Sequence, residues 1–197
     1  MNEENQYFSG TSKKPLLLIL SGLSGVGKDT ILIKLEQSGF PPRHITTVTT
    51  RQKRPNETDG EHYHFISGDE FREMIANNEL LEHATVYGKE YGVPAEPVRK
   101  ALDAGQDVII KVDVQGAVTI KKIIPEAVFI FLMPSSMEEL VARLKQRHTE
   151  SAEDLELRIK TAEAEIKHLP VFDYIVLNQK GEVNRAVADI KAIYRAE

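Results

Sequence analysis

The chain of 197 residues is 41% hydrophobic and 28% charged, an ordinary balance for one soluble domain with a sizeable core. It has no cysteine, which excludes disulfides, thiolate metal sites and a cysteine nucleophile. A formal net charge of −5 argues against generic nucleic-acid binding, and no apolar run is long enough to span a bilayer. Residues 1–13 are polar and lack the apolar core of a signal peptide, so they read as a tail on a cytoplasmic protein with no membrane partner.

In chain order, the apolar run from Leu16 to Leu20 predicts a strand. Gly22-Leu23-Ser24-Gly25-Val26-Gly27-Lys28-Asp29 follows, and then an amphipathic segment from Thr30 to Leu35. After a break at Gly39-Phe40-Pro41-Pro42, His44 to Thr50 is β-branched and extended. A polar, turn-rich stretch leads to a short strand from Tyr63 to Ile66. A helix is predicted from Ser67 to Asn77, with Ser67 and Glu70 spaced as a capping box. A second runs from Glu96 to Ala104 and stops at Gly105. Buried strands are predicted at 108–113 and 128–133, and charged helices at 137–148 and 154–168. A last strand at 174–177 precedes a terminal helix. Apolar strands separated by helices imply an α/β fold, a parallel sheet covered by helices on both faces. No internal repeat is present. The polar excursions at 46–94 and 135–169 therefore read as insertions on one core built from 14–45, 95–134 and 170–197.

The strand, the glycine-rich turn, the lysine and the helix together have the layout of a nucleotide-phosphate cradle. Glycines let the backbone wrap closely around phosphate oxygens with successive N–H groups pointing inward. The helix start offers free N–H groups and a positive dipole end to the same anion, and Lys28 adds a mobile charge. A hydroxyl residue normally follows the lysine as a magnesium ligand; here Asp29 follows, with Thr30 next.

The excursion at 46–94 is dense in polar groups. Arg51 and Arg54 close an extended run, Tyr63 follows the turn signal Asp59-Gly60, and Glu82 and Tyr91 come later. Two guanidinium forks and two phenols can collect around one phosphate. Arg143 and Arg147 lie one helical turn apart with Glu139 before them, a spacing that also makes an ordinary solvated ion-pair face. His62 and His64 can share one side of a strand, but no third metal ligand follows at useful spacing.

Taken together, these motifs resemble the guanylate kinases from about Pro15 onward. The resemblance rests on the phosphate loop, Thr-Thr-Arg51-x-x-Arg54-Pro55, Asp59-Gly60-x-x-Tyr63-x-Phe65, Leu81-Glu82-x-Ala84, Tyr91-Gly92 and Val112-Asp113-x-Gln115-Gly116. Arg143-Leu144-x-x-Arg147 and Arg158 complete it. It implies a P-loop kinase core with a GMP-binding insert and a helical lid, using ATP and GMP as substrates and Mg2+ with the ATP. The implied ATP site comprises residues Gly22, Leu23, Ser24, Gly25, Val26, Gly27, Lys28, Asp29 and Thr30, with Asn178 at the adenine. Arg51, Arg54, Tyr63 and Tyr91 are implied to hold the GMP phosphate. Thr47 and Glu82 are implied to read the guanine, with Asp113 near its amino group. Lys28, Arg51, Arg147 and Arg158 are the implied catalytic cations.

The carboxylate at 82 makes chemical sense beside that resemblance. Guanine presents N1–H and an exocyclic N–H on one edge, two donors that one carboxylate accepts; adenine lacks that pair. Three positions depart from the family pattern. Asp29 replaces the usual hydroxyl, Val93 stands where Ser or Thr usually follows Tyr-Gly, and Lys111 replaces the first Asp of an Asp-x-Asp strand end. Ribose 1,5-bisphosphate kinases share a Gly-Lys-Asp loop and a Tyr-Gly-Val run, which makes that activity the enzymatic alternative. A non-catalytic module that binds phosphopeptides is another, and it would not need Lys28 and the glycines. Asp29 is the candidate magnesium ligand, and Asp113 has a structural alternative in holding a strand end or a loop. A monomer and a homodimer both suit the sequence.

Overall fold

A computed structural model describes residues 14–145 and 152–197. Arg147, an expected catalytic cation, lies outside the described residues.

The first strand, β1 (Leu17–Gly22), is buried along its whole length and delivers the chain into the glycine-rich turn before α1 (Lys28–Gln37). The extended run that follows does not form one strand. It splits into β2 (Arg43–Ile45) and β3 (Val48–Thr49), which join different sheets, and Thr47 lies at the crossover. Next come β4 (His64–Phe65) and α2 (Gly68–Ala76). The Ser67 hydroxyl accepts from the Glu70 N–H, and the Glu70 carboxylate accepts from the Ser67 N–H at 2.7 Å, the predicted capping box.

The sequence pattern shows no strands between 78 and 94, yet this segment is a hairpin of β5 (Leu80–Val86) and β6 (Lys89–Pro94). Its two-residue turn, Tyr87-Gly88, has φ of 50° and 69°. Two positive φ angles match the twist of the flanking strands, a geometry that Asn-Gly ordinarily signals. Tyrosine in the first turn position hid the hairpin.

The chain continues through α3 (Ala95–Asp103), β7 (Val108–Lys111), α4 (Val114–Ile123) and β8 (Val128–Met133). The strand predicted to reach residue 113 stops at Lys111, because Asp113 caps α4: its carboxylate accepts the Gly116 N–H at 2.9 Å. The described chain ends with α5 (Met137–Lys145), α6 (Ala152–Ile166), β9 (Tyr174–Leu177) and α7 (Val183–Ala196).

The main sheet has the order β2-β7-β1-β8-β9, and every neighbouring pair is parallel. Leu18 of β1 sits between Ile109 of β7 and Val128 of β8. These central strands are near-continuous apolar runs, as strands covered on both faces must be. Helices flank them: α3 packs on β2 and β7, α7 on α1 and β9, and α4 on β1. Fully burying each large side chain here, Phe129 and Phe131 among them, contributes about 1.5–3 kcal/mol. The second sheet, β4-β3-β6-β5, is mixed, and all its strands fall within residues 48–94. Because α4 also packs on β5, it ties the two sheets together. No helix among the described residues is long and apolar enough to cross a membrane.

Gly22 sets how closely β1 and β8 approach. Its φ is +144°, and a Cβ there would lie 2.4 Å from the Leu132 carbonyl oxygen. Gly22→Ala should therefore lower stability by roughly 2–4 kcal/mol through backbone strain plus collision with an unyielding strand, measured by urea denaturation. A loss well under 1 kcal/mol would show that the strands do not meet as described.

Candidate active site

The glycine-rich turn is anchored by its apolar members. Leu23 and Val26 are fully buried, which leaves Ser24, Gly25, Gly27, Lys28 and Asp29 to line a cavity of about 450 Å3. Gly22, Leu23 and Val26 thus act as the frame of the loop, and Thr30 is exposed. The Val26 carbonyl accepts from the Asn178 amide and from Arg143, each at 2.7 Å. Arg143 also donates to the Asn178 carbonyl and pairs with Glu139. Asn178 and Arg143 therefore brace the loop from behind, and Asn178 is not among the residues lining the cavity.

The Lys28 ammonium donates to the Gly22 carbonyl at 2.5 Å and faces the Leu23 carbonyl at 3.3 Å. Burial lowers its pKa, while the charges of Glu165, Asp29 and Asp113 push it back up.

Across the cavity, Arg51, Arg54, Tyr63 and Tyr91 come together in its lining, although they are spread over 41 positions of sequence (51 to 91). Strand β3 pairs with β4 and β6, which puts Tyr91 opposite Thr49 and sets the Tyr63 and Tyr91 rings 5.8 Å apart. The Arg51 guanidinium lies 5.5 Å from the Tyr63 ring centre, a cation–π distance. Glu57, which the sequence reading did not single out, orients it: two bonds of 2.9 and 2.7 Å form a bidentate fork, and Glu57 also accepts the Arg54 N–H at 2.8 Å. Burial works to raise the Glu57 pKa, but these bonds hold it below the usual carboxylate range.

Thr47 and Glu82 lie deeper in the same cavity. Both are buried, and both carry a polar atom without a hydrogen-bond partner, Thr47 Oγ1 and Glu82 Oε2. Such orphans are costly and mark a place built for a ligand's polar edge. Burial first, and the nearby Asp113 charge second, push the Glu82 carboxyl up to about 8. Space for that carboxylate comes from Gly116: a Cβ there would sit 2.7 Å from Glu82 Oε2. Asp113 both caps α4 and lines the cavity.

Helix α6 closes the far side. Arg158 lies 3.4 Å from the Ser24 hydroxyl and stacks 5.0 Å from the ring centre of Tyr87, at the tip of the β5–β6 hairpin. Glu165 also lines the cavity, with burial raising its pKa against the pull of Lys28, and its Oε2 has no hydrogen-bond partner.

Two of the departures from the family pattern meet. Asp29, on the first turn of α1, pairs with the ammonium of Lys111 at the end of β7. Lys111 is 4% exposed, and its ammonium lies 3.7 Å from the Tyr63 ring centre. Burial works to lower its pKa, but Tyr63 and Asp29 hold it above the usual lysine range. No group of three or more possible metal ligands converges among the described residues. The hairpin-tip Tyr87, the Glu57 fork, Glu165 and the partnership of Lys111 were all invisible in the sequence reading. Glu57 had a local signal, an acid three residues after Arg54; the others depend on contacts made by the fold.

Known proteins share this arrangement. The family pattern described as guanylate kinase matches residues 13–197. The chain is 44% identical to the guanylate kinase of Caldanaerobacter subterraneus over 94% of this chain and 89% of that protein. It is 42% identical to guanylate kinase 2, chloroplastic/mitochondrial, of rice, over 93% of this chain and 65% of the rice protein. The crystal structure of guanylate kinase from Anaplasma phagocytophilum superposes with a TM-score of 0.77 at 32% identity, covering 92% of this chain and 85% of that one. A shikimate kinase from Bacteroides thetaiotaomicron shares the fold at a TM-score of 0.53 and 14% identity, over 91% of this chain and 98% of that one. With its phosphate loop, its paired arginines and tyrosines and its buried carboxylate all facing one cavity, the chain belongs to the guanylate kinase family.

Proposed function

We infer that this chain transfers the γ-phosphoryl group of ATP to GMP, giving ADP and GDP. The observation that carries the reading is Glu82: a buried carboxylate with one unpartnered oxygen, in the same cavity as a four-residue cluster suited to a phosphate. A sugar bisphosphate offers hydroxyl donors but no rigid pair of adjacent N–H groups for one carboxylate. Guanine offers that pair, because its N1–H and exocyclic N–H are adjacent donors on one edge.

In this reading Ser24, Gly25, Gly27 and Lys28 cradle the outer ATP phosphates. Arg51, Arg54, Tyr63 and Tyr91 hold the GMP phosphate, and Thr47, Glu82 and Asp113 take the base. A GMP phosphate oxygen forms the new bond to the γ-phosphorus, and the bond from that phosphorus to the bridging oxygen of ADP breaks. The nucleophile is already anionic, so no covalent enzyme intermediate is required. Positioning and charge neutralisation do the work, with Lys28, Arg51 and Arg158 as the described cations and Arg147 as the lid arginine expected beside them. Asn178 serves the loop through Val26 rather than facing the cavity. Closure of α6 over the cavity excludes water, which would otherwise take the phosphoryl group.

Magnesium keeps most of its water and takes one or two carboxylates along with substrate phosphates. The Asp29 carboxylate, a hard oxygen donor in the cavity lining beside Lys28 at the start of α1, suits an ion carried in by ATP. Its chemistry there is to neutralise the outer phosphates. Asp29, already paired with Lys111, would hold the ion directly or through water.

The direct test is a coupled ADP-release assay with GMP, AMP and ribose 1,5-bisphosphate competing as acceptors. GMP should dominate; preference for the sugar bisphosphate would overturn the reading. Lys28→Ala should cut turnover by orders of magnitude in a protein with an unchanged circular dichroism spectrum, and near-parent turnover would remove Lys28 from the reaction.

Gly116→Ala tests the base pocket. The added methyl displaces the end of a flexible side chain, so folding should survive while the Glu82 carboxylate is misplaced. Losing a charged hydrogen bond to guanine should raise the KM for GMP by roughly 10- to 150-fold, with the KM for ATP little changed. Glu82→Gln should act in the same direction. Equal losses for both nucleotides would argue against base reading at this position.

A further inference from the structure

The two family departures at 29 and 111 lie 82 positions apart in sequence and touch in space. Their meeting rewrites the charge of the cavity. The family pattern, a hydroxyl and a carboxylate, sums to −1; here Asp29 and Lys111 sum to 0. The site thus carries one more unit of positive charge than the pattern it resembles.

A lysine is almost never fully buried unless paired. Lys111 has Asp29 as that pair, the Tyr63 ring beneath its ammonium at 3.7 Å and the His62 carbonyl at 3.4 Å. Tyr63 belongs to the cluster that faces the acceptor phosphate, and Lys28 belongs to the donor cradle. The Lys111 charge acts on both. Both members of the pair line the cavity. An ammonium has three donors. Asp29 takes one, the Tyr63 side chain engages another, and the His62 carbonyl at 3.4 Å holds the third only at far reach, so a phosphate oxygen can replace that carbonyl without breaking the ion pair.

We propose that Lys111 is a ligand of the acceptor phosphate, held against Tyr63 by Asp29 in the empty site and shared with the GMP phosphate when the acceptor binds. The inference rests on the GMP reading of the cavity. Asp29 is then a positioning residue for a protein-borne cation. Part of the neutralisation at the acceptor phosphate comes from Lys111, independent of any metal. An exchange of either residue alone would leave a charge without its partner; the two departures work as a unit.

The test is calorimetric or NMR titration with GMP and with guanosine, in EDTA and without ATP. It compares the parent with Lys111→Met and with the double variant Asp29→Asn/Lys111→Met. The double variant removes both charges of the pair, so that the half-exposed Asp29 carboxylate is not left without Lys111. Losing one charged hydrogen bond to phosphate should weaken GMP binding by about 10- to 100-fold in both variants, with guanosine binding unchanged. Asp29→Ser, which removes the competitor for the ammonium, should bind GMP at least as tightly as the parent. A parent that does not bind GMP would sink the functional reading itself. A parent that binds it, with variants that bind it equally well or that lose GMP and guanosine in parallel, would overturn the role of Lys111 alone.

Discussion

A carboxylate kept from water is the constraint around which the rest of the site is arranged. Glu82 lies on β5, under the α4 glycine that makes room for it and near Asp113 at the cap of the same helix. Its Oε2 has no hydrogen-bond partner in the protein. Ionising it in the empty cavity is unfavourable on two counts, desolvation and a second negative charge nearby. With its pKa raised from 4.5 to about 8, the folded chain holds more protons than the unfolded one between those values. Stability therefore falls as pH rises through that window, a cost the fold bears for the sake of a ligand edge that matches it.

The phosphate side solves the opposite problem. Two anionic nucleotides must be held close together, and the cavity answers with cations that are themselves restrained: Arg51 by the Glu57 fork, Lys28 by strand-end carbonyls, Lys111 by Asp29. Pairing each cation with an acceptor keeps it in place when no substrate is present, and it lowers the reorganisation needed when phosphate arrives. Arg158 of α6 reaches Ser24 of the glycine-rich turn and Tyr87 at the hairpin tip, so the turn, the hairpin and α6 meet at one edge of the cavity.

Much of this was legible in the chain. The central strands of the parallel sheet announce themselves as apolar runs, because burial on both faces leaves no alternation to misread. The capping box of α2 and the glycine stop of α3 are local signals, and both appear where the pattern puts them. Many of the cavity-lining residues, among them Ser24, Lys28, Arg51, Tyr63, Glu82, Tyr91 and Arg158, were named from motif and resemblance. What stayed hidden depends on tertiary context. The β5–β6 hairpin turns on a Tyr-Gly pair without the usual Asn-Gly signal, and α4 begins at an aspartate that also ends the strand reading. The bond from the Asn178 amide to the Val26 carbonyl, which joins the end of the last strand to the glycine-rich turn, had no local signal. Asp29 and Lys111 each looked like a separate anomaly until the pairing of β1 with β7 set the first turn of α1 beside the end of β7.

The most direct measurement of the central claim is the number of protons exchanged when GMP binds. With Glu82 at about 8 in the empty site and its carboxylate ionised against guanine, binding at pH 7 should release close to one proton. Isothermal titration in buffers of different ionisation enthalpy reads that number directly. The release should shrink as pH rises past 8, and affinity should rise several-fold between pH 7 and about pH 8.5, below the range in which guanine N1–H itself ionises. The same release should vanish in Glu82→Gln. GMP binding at pH 7 with no proton released would contradict the account, because it would mean that the buried carboxylate does not meet the base in its ionised form.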